Sequence, residues 1–274
     1  MGSNQQGAWR LRTGVVALVA AGVLAACGGS GADDNNGNTG NPGSGGGTGS
    51  AGQPMELTIL HINDHHSTLE SKSKTLTLSA GGASPVSVAV DAGGFPRVAA
   101  AIESLAAQSP NVLKLHAGDA LTGTLYFNRA GSDGEADAAL MNTVCFDAFT
   151  LGNHEFDKGD SGLKGFIDLL HQGSCKTPVL SANVSFGASS ALNAARAPGY
   201  VNPVAVVERG GQKIGIVGLT IAQKTKASSS PDAGTIFEDE ATAAQREIDR
   251  LRAQGIDKIV VMSHVGYGYD LQIV

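Results

Sequence analysis

Four apolar stretches of this sequence each end in polar side chains of the kind that bind metal ions. The donors at these ends are Asp64, His66, Asp119, Asn153 and His264. Buried strands of an open α/β sheet bring polar groups to the carboxyl edge of the sheet in this way, and ligands bind along that edge. The four strand ends are therefore expected to converge on one site that holds two metal ions.

The donor set contains oxygen and imidazole groups and no thiol. Such a set suits Zn, Mn, Fe or a similar divalent ion, and it argues against a cysteine-based structural zinc site. Two ions about 3.5–4 Å apart need a shared anionic ligand. Asp119 directly follows a glycine and can lie deep enough to bridge them. Asp64 and His66 can reach one ion from a single strand end, whereas Asn153 and His264 would serve the other.

The most specific of the four motifs is Gly152-Asn153-His154-Glu155, with Asp157 two positions further on. The others are Asp-x-His at 64–66, Gly-Asp at 118–119 and Ser-His-x-Gly at 263–266, and each of these is common by chance. All four in this order, each at the end of a predicted strand, form a very specific pattern.

Strands that alternate with helices predict an α/β fold, and two hairpins make its sheet mixed. Predicted strands cover residues 56–63, 112–116, 148–151, 178–183 and 258–262, with hairpins at 75–90 and 204–219. One predicted helix begins at Phe95, and three others cover residues 135–144, 163–172 and 238–254. Residues 184–200, rich in Ala, Ser and Gly, are predicted to form a surface loop.

Apolar spacing predicts which faces of these elements are buried. The first strand, with Leu57 and Ile59, is predicted to be covered on both faces. Helix residues expected to point inward recur at helical spacing. They are Val98, Ile102 and Leu105, then Ala139, Leu140 and Val144, and finally Ala244, Ile248 and Leu251.

The chain has 274 residues and a formal net charge of −6, with charged residues at 16%. This length is enough for one sizeable domain. The composition provides no basic face, so we expect no nucleic acid partner. Cys145 and Cys175 lie in the folded region, where they either pair in an oxidising compartment or remain two separate buried thiols.

The N-terminus predicts export. Arg10 and Arg12 precede an apolar run, residues 14–24, which is too short to span a bilayer. Leu24-Ala25-Ala26-Cys27 then resembles the lipobox of bacterial lipoproteins, which implies cleavage before Cys27 and a lipid anchor in the periplasm or outer membrane. An ordinary signal peptide with a chance cysteine is the alternative. Residues 28–54 are predicted to be a disordered tether with a reach of about 30 Å, and residues 55–274 the folded domain.

The order of the four motifs resembles the calcineurin-like metallophosphoesterases, and the longer strings resemble the bacterial 5′-nucleotidase/UDP-sugar hydrolase family. The resemblance runs from about Leu57 to the chain end. The strings are Leu60-His61-Ile62-Asn63-Asp64-His65-His66, Ala117-Gly118-Asp119-Ala120-Leu121-Thr122-Gly123-Thr124, Met141-Asn142, Gly152-Asn153-His154-Glu155-Phe156-Asp157 and Ser181-Ala182-Asn183. The implied fold is a layered sandwich of mixed β-sheets flanked by helices.

The resemblance implies two divalent metal ions and a nucleotide or other small phosphoester as substrate. Asp64 and His66 would bind the first ion, Asp119 would bridge, and Asn153 and His264 would bind the second. His154 would face the substrate phosphate and stabilise it or protonate the departing oxygen, with Asp157 orienting the ring.

The remaining polar groups near the motifs are expected to have supporting or structural roles. His65 is expected to support the ligands from behind or to be structural. Glu155 is expected to pack or hydrogen-bond nearby, and His61 and His116 to be packed within their strands. His171 ends a helix, where an imidazolium would suit the dipole. None of these four histidines, nor Glu155, is expected to bind a metal ion.

Other functions share the same motifs. A cyclic-nucleotide phosphodiesterase, a UDP-sugar hydrolase or a sulfur-ester hydrolase would use the same metals. A surface lipoprotein that binds metal or nucleotide without turnover is an alternative of a different class.

The sequence departs from the family beyond its last motif. The family continues to a Gly-His-x-His-like motif, with one further ligand for each ion, and to a second domain; the sequence ends at Val274 without them. We therefore expect a sandwich that is incomplete at the C-terminus and a chain that is poorly active by itself. Brisk metal-dependent release of phosphate from AMP by residues 55–274 would contradict this expectation.

Overall fold

The structure is a computed structural model that describes residues 54–79, 81 and 84–273. The predicted signal segment with Cys27, and the predicted tether apart from its last residue, lie outside the described residues. Among the helices of the described residues, none has the length and apolar character needed to span a bilayer.

Strands and helices alternate along the described chain. In order, the elements are β1 (Thr58–Ile62), β2 (Lys72–Leu78), β3 (Val86–Ala92), α1 (Phe95–Ala106), β4 (Val112–His116), α2 (Tyr126–Arg129), α3 (Glu135–Val144), β5 (Ala148–Thr150), a 3₁₀ helix (His154–Phe156), α4 (Gly159–Leu170), β6 (Val179–Leu180), β7 (Val184–Ser185), β8 (Val204–Arg209), β9 (Gln212–Thr220), α5 (Ala222–Ser228), β10 (Ile236–Phe237), α6 (Glu240–Ala253), β11 (Lys258–His264) and α7 (Tyr267–Ile273).

Two sheets bring the predicted strand ends to one region. The first sheet has the order β1-β4-β5-β6 and is parallel throughout, so the carboxyl ends of three motif-bearing strands lie along one edge. The second sheet has the order β11-β9-β8, in which β11 runs parallel to β9 and β8 runs antiparallel to it. The mixed sheet predicted from the sequence is confirmed.

Apolar side chains hold the layers together. Leu113, Leu115 and Ala148 from the first sheet pack with Ile214 and Ile216 from the second, and all five are almost fully buried. A separate core lies between the first sheet and helices α1, α3 and α4, and a third lies between β9 and α6. The result is the helix-flanked sandwich that the family resemblance implied.

Turn chemistry fixes several element boundaries. Gly210 and Gly211 have φ angles of 55° and 72°, so the β8–β9 hairpin uses a tight turn that favours glycine at both positions. Helix α6 begins after Asp239, whose side chain accepts a hydrogen bond from the Thr242 N–H at 2.8 Å. Pro96 lies in the first turn of α1, as predicted.

Several predictions about burial were wrong. Leu105 is 48% exposed because the buried stripe of α1 advances from Ile102 by four residues and not by three. Ala139 is exposed, since α3 buries the neighbouring positions Ala138 and Met141.

The first strand is not covered on both faces. Ile59 is 43% exposed, and His61, expected to be packed, is exposed on the same face. Both line a cleft that opens between the edge strands β1 and β11. The predicted surface loop at 184–200 is also only partly correct, because Val184–Ser185 pairs with β10 and Leu192 is buried.

Candidate metal centre

The structure brings the predicted donors together around the carboxylate of Asp119. Asp119 Oδ2 lies 3.1 Å from His264 Nε2 and 3.8 Å from His66 Nε2. Asp64 Oδ1 lies 3.4 Å from His66 Nε2, at the rim of the site. Asp119 is 1% exposed, so its carboxylate lies at the bottom of the site.

Two groups of three residues have ligand atoms close enough to hold an ion. Asp64, Asp119 and His264 form one group, and His66, Asp119 and His154 form the other, with all ligand atoms of a group within 4.8 Å of one another. Asp119 belongs to both groups, as a bridging carboxylate would. Asp64 and His66, which are predicted to share an ion, lie in different groups, although Asp64 Oδ1 is 3.4 Å from His66 Nε2. His154 lies within reach of an ion in the second group.

Unpaired buried polar atoms mark the same place. Both side-chain polar atoms of Asn153 are buried without a hydrogen-bond partner. Asp119 Oδ2 is also buried, and its only near neighbours of opposite polarity among the described residues are the Nε2 atoms of His264 and His66. Leaving such groups unpaired is costly, and native proteins rarely do so without an ion, a water molecule or a functional reason. A divalent cation bound at this point would give the Asp119 and Asn153 oxygens a partner. The residues present therefore fit a metal ion.

Backbone carbonyls prepare the two histidines to bind a cation. His66 Nδ1 lies 3.3 Å from the Leu121 carbonyl oxygen, and His264 Nδ1 lies 2.7 Å from that of Ala117. A carbonyl can only accept, so each Nδ1 carries a proton, and in the neutral ring each Nε2 offers its electron pair to the site. This arrangement is the usual one for histidines that bind metal ions.

The electrostatics of the site favour positive charge beside Asp119. Burial lowers the pKa of His264, but the Asp119 carboxylate outweighs burial and raises the pKa to about 9. Burial likewise opposes ionisation of Asp119, yet His264 and His154 hold the pKa of this carboxyl below its usual value. The carboxylate thus attracts a proton to His264 Nε2, where a metal cation would also be favoured.

A buried carboxylate holds two of the motif loops in position. Glu155 is 1% exposed, and its Oε2 accepts hydrogen bonds from the N–H groups of Asp119 at 2.9 Å and Gly152 at 2.6 Å. Its Oε1 accepts from Ala120 at 2.8 Å and Leu121 at 3.3 Å. Burial and the neighbouring Asp119 raise the pKa of Glu155 to about 7, although its N–H partners favour the ionised form.

Two glycines allow the same loops to approach closely. Gly118 has a φ of 95°, and a Cβ atom placed on it would lie 2.6 Å from the Gly152 nitrogen. A Cβ atom placed on Gly152 would overlap the Asp119 side chain. The Gly-Asp motif therefore requires glycine at position 118, and the Gly-Asn-His-Glu motif at position 152, for steric reasons.

His154 lies beside the donor cluster at the edge of the cleft. Its backbone N–H donates to Asp119 Oδ1 at 2.8 Å, and its Nδ1 lies 2.6 Å from Asp157 Oδ2. Thr122 Oγ1 donates to the same Asp157 oxygen at 3.2 Å. The His154 ring meets the His66 ring edge to face, with centroids 4.9 Å apart. Asp157 thus orients the His154 ring and leaves its Nε2 free.

A cleft of about 520 Å³ opens beside the donor cluster, on the side of Asn153 and His264. Asp64 lines it at the rim, and Lys224 and Tyr267 line its walls. Both wall residues are exposed, so the cleft is open to solvent on that side. A small phosphoester can therefore reach the donor cluster.

Sequence reasoning missed how the donor loops are supported. Glu155 was expected only to hydrogen-bond nearby, whereas it joins two motif loops. Asp137, which is 0% exposed behind the site, was not singled out at all. The one available signal for Asp137 was an acidic residue among the apolar positions of a helix, which more often indicates a solvated face.

Comparison with known proteins places these residues in a family. A family model described as calcineurin-like phosphoesterase matches residues 57–269. The chain is 46% identical over 218 residues to a probable 5′-nucleotidase of Treponema pallidum, covering 80% of this chain and 34% of that protein. It is 44% identical over 223 residues to the NAD 5′-nucleotidase of Haemophilus influenzae, covering 81% and 34%.

Solved structures agree with the sequence relatives. The structure of Haemophilus influenzae NAD nucleotidase superimposes with a TM-score of 0.70 at 44% identity, covering 79% of this chain and 35% of that one. A 5′-nucleotidase precursor from Thermus thermophilus gives a TM-score of 0.65 at 40% identity, covering 79% and 38%. This chain therefore spans about a third of the length of the relatives it matches.

Proposed function

Because the chain belongs to the calcineurin-like phosphoesterase family, we propose that it is a metal-dependent phosphoester hydrolase of the 5′-nucleotidase type that releases phosphate from nucleotides. The observation that carries this proposal is the buried Asp119 carboxylate, whose Oδ2 faces the Nε2 atoms of His66 and His264 and no other donor among the described residues. The names of the relatives support a nucleotide substrate.

Two divalent ions, such as Zn or Mn, fit the donor set. Asp64 and His66 are proposed to hold one ion, and Asn153 and His264 the other, with Asp119 shared between them. Bound divalent ions supply a water nucleophile at neutral pH and stabilise the negative charge of a phosphoryl group in transfer.

His154 and Asp157 are proposed to act on the substrate. The His154 Nδ1–H donates to Asp157, which fixes the ring and leaves Nε2 free for the phosphate or for the departing oxygen. In the imidazolium form, His154 donates its Nε2 proton to the leaving alkoxide, so the product departs as an alcohol. Lys224, on the cleft wall, offers a positive charge to an anionic substrate.

Metal binding tests the donor set without requiring turnover. We expect calorimetric titration with Mn²⁺ to show two equivalents bound by the wild-type chain. Asp119→Asn removes the shared charge and should bind far more weakly, whereas His171→Gln, at the end of α4, should bind as the wild type does. Equal Mn²⁺ binding by the Asp119→Asn variant would contradict the assignment.

Turnover is tested separately with AMP and NAD as substrates. Loss of a positioned acid–base group typically reduces rates about 10²- to 10⁴-fold. His154→Ala should therefore abolish most metal-dependent phosphate release and retain Mn²⁺ binding. Phosphate release that is unchanged in this variant would remove His154 from the mechanism. Because the chain is expected to be poorly active by itself, the assay uses protein concentrations high enough to detect slow turnover. Metal binding with no release from either substrate under these conditions would favour a metal-binding surface protein.

We further propose that the protein is exported and held at the bacterial envelope through a lipidated Cys27. Support comes from the basic residues, short apolar run and small residues that precede this cysteine. Several acyl chains anchor a protein firmly, whereas one binds only marginally. Cys27→Ala should move the protein from the membrane fraction to the soluble fraction. An unchanged distribution, or a mature protein without lipid by mass spectrometry, would refute the anchor.

A further inference from the structure

Three polar side chains form a buried chain behind the donor cluster, and none of them is a proposed metal ligand. His65 Nε2 lies 3.0 Å from Asp137 Oδ1, and His65 Nδ1 lies 2.8 Å from His116 Nε2. We call Asp137, His65 and His116 the buried histidine chain.

Solvent has almost no access to the buried histidine chain. Asp137 and His116 are 0% exposed, and the His65 side chain is 9% exposed. The rings of Phe95, Phe146 and Phe149 pack edge-on against the two imidazoles. Polar groups in such surroundings are stable only when every donor and acceptor is paired.

Only one arrangement of protons satisfies the buried histidine chain. The Gly118 backbone N–H donates to His116 Nδ1 at 3.3 Å, so the His116 proton must be on Nε2. His116 Nε2–H then donates to His65 Nδ1, and His65 Nε2–H donates to Asp137 Oδ1. Burial, with His65 and His264 nearby, holds the pKa of His116 well below its ordinary value, in agreement with a neutral ring.

Asp137 also holds the residue on the other side of a proposed ligand. Its second oxygen, Oδ2, accepts a hydrogen bond from Ser67 Oγ at 3.0 Å. His65 and Ser67 are the two neighbours of His66, so one carboxylate on α3 is bonded to both. Through His116, the same chain reaches Gly118, which directly precedes Asp119.

The two segments that the buried histidine chain joins have unfavourable backbone conformations. Asp64, His66 and Ser67 have φ angles of 52°, 44° and 49°, and Asp119 has a φ of 53°. Left-handed conformations are disfavoured for residues other than glycine. Such conformations persist only where the surrounding structure imposes them.

From this geometry we propose that Asp137 is a positioning residue: through His65, His116 and Ser67 it holds both donor loops in the conformation that metal binding requires. The inference rests on the proposed function, since it concerns the ligands assigned there. Asp137 itself contacts neither a ligand side chain nor the cleft. Its effect on metal ions is therefore exerted through the backbone of the two loops.

The proton arrangement can be measured in the wild-type chain without metal. Nitrogen-15 NMR of the imidazole rings, recorded in EDTA, distinguishes the two neutral tautomers. We expect both His65 and His116 to carry the proton on Nε2. A proton on Nδ1 of either ring would mean that the chain does not run from Gly118 to Asp137, and the proposal would be overturned.

Variants then test the effect on metal binding. Asp137→Ala should weaken Mn²⁺ binding by roughly 10- to 100-fold, the usual effect of losing a group that supports a metal site from behind. Asp137→Asn retains an acceptor for His65 and should restore most of the affinity. The matched control is Asp160→Ala, because Asp160 is equally buried and bonds Ser190 and Thr235 away from the donor cluster.

A folded Asp137→Ala chain that binds Mn²⁺ as tightly as the wild type would overturn the proposal. If Asp137→Ala does not fold, His116→Leu carries the test, because leucine suits the surrounding phenylalanines and removes both hydrogen bonds of the ring. Should neither variant fold, the tautomers of the wild-type chain decide. The proposed function would fail differently, through a wild-type chain that binds no Mn²⁺.

Discussion

Replacing Glu155 with glutamine should disconnect the two loops that carry Asp119 and Asn153. The Glu155 carboxylate accepts hydrogen bonds from four backbone N–H groups, two on each oxygen, at distances from 2.6 to 3.3 Å. Glutamine has the same shape but presents only one acceptor oxygen. In either orientation of the amide, its NH₂ group must therefore face two N–H donors.

The expected loss follows from this count. Hydrogen bonds to a charged group contribute about 1.5–3 kcal/mol each, and two of them are lost. Relaxation of the loops will recover part of this free energy, and neutral glutamine avoids the cost of burying a charge that the raised pKa of Glu155 indicates. We therefore expect the free energy of unfolding to fall by about 2–4 kcal/mol. The same change should weaken Mn²⁺ binding, since the Asp119 backbone loses the partner that fixes it.

Urea unfolding at pH 8 in EDTA measures the first effect. The pKa of Glu155 is raised to about 7, so the wild-type carboxylate is mostly ionised at this pH. Glu247→Gln is the matched control, because Glu247 is 2% exposed but pairs with the partly exposed guanidinium groups of Arg246 and Arg250. Glutamine at this position keeps one acceptor oxygen for Arg246, and water reaches both guanidinium groups, so the control should lose only about 1 kcal/mol.

Two results would refute this reasoning. A Glu155→Gln chain that loses no more stability than the Glu247→Gln control would show that the four N–H groups find other partners. A destabilised chain with wild-type Mn²⁺ affinity would show that Glu155 supports the fold but not the position of Asp119. Calorimetric titration of both variants under the same conditions distinguishes these results.

Three further predictions concern other parts of the structure. Gly152→Ala forces a methyl group into the loop after β4 and should lower the free energy of unfolding by about 1–3 kcal/mol. Gly165→Ala places a methyl group in open space on α4 and should raise the free energy of unfolding by about 0.5–1 kcal/mol. Despite burial, the adjacent carboxylate raises the pKa of His264 from 6.5 to about 9. In EDTA, the charged imidazole therefore stabilises the fold by about 3 kcal/mol below pH 6.5. Urea unfolding should show that this stabilisation is lost as the pH rises through 9. The Cys145–Cys175 disulfide closes a loop with a sequence separation of 30, so replacing both cysteines with serine should reduce the free energy of unfolding by about 3–4 kcal/mol.

The strand ends could be predicted because their signals are local. An apolar run followed by glycine and a carboxylate predicts both the strand and the direction of its polar end, and the parallel sheet then brings Asp64, Asp119 and Asn153 to one edge. The second hairpin was equally predictable, since Gly210 and Gly211 determine its turn. His264 required more, because β11 belongs to the other sheet, and only the order of the motifs indicated that it would join them.

The supports behind the donors could not be predicted, because they are tertiary contacts without a sequence period. Asp137 meets His65 across 72 positions and Glu155 meets Asp119 across 36. The predicted inner face of a helix was also wrong where helical spacing allows two choices. Leu105, three residues after Ile102, is exposed, whereas Ala106, four residues after it, is half-buried. The pairing of Cys145 with Cys175 depended on the approach of the α3 end to the loop after α4.

The two buried carboxylates and the backbone strain have a common explanation. In the described part of the chain, seven residues other than glycine have positive φ, and five lie in the two donor loops. They are Asp64, His66, Ser67, Asp119 and Thr122. Glycine would relieve the strain at each position, but it would remove a donor side chain or a hydroxyl that bonds a carboxylate. At about 1 kcal/mol each, the five conformations together cost about 5 kcal/mol, comparable with the whole stability of a small domain.

Such a cost must be offset within the same loops. Glu155 accepts N–H groups from the loop that contains Asp119, and Asp137 bonds both neighbours of His66. Each carboxylate is fully desolvated, so its hydrogen bonds are strong only while the loops remain in place. The donors are therefore held in position before any ion arrives, and removal of either carboxylate should reduce metal affinity more than it reduces secondary structure. Circular dichroism recorded beside the Mn²⁺ titrations would show a parallel loss of both if this argument were wrong.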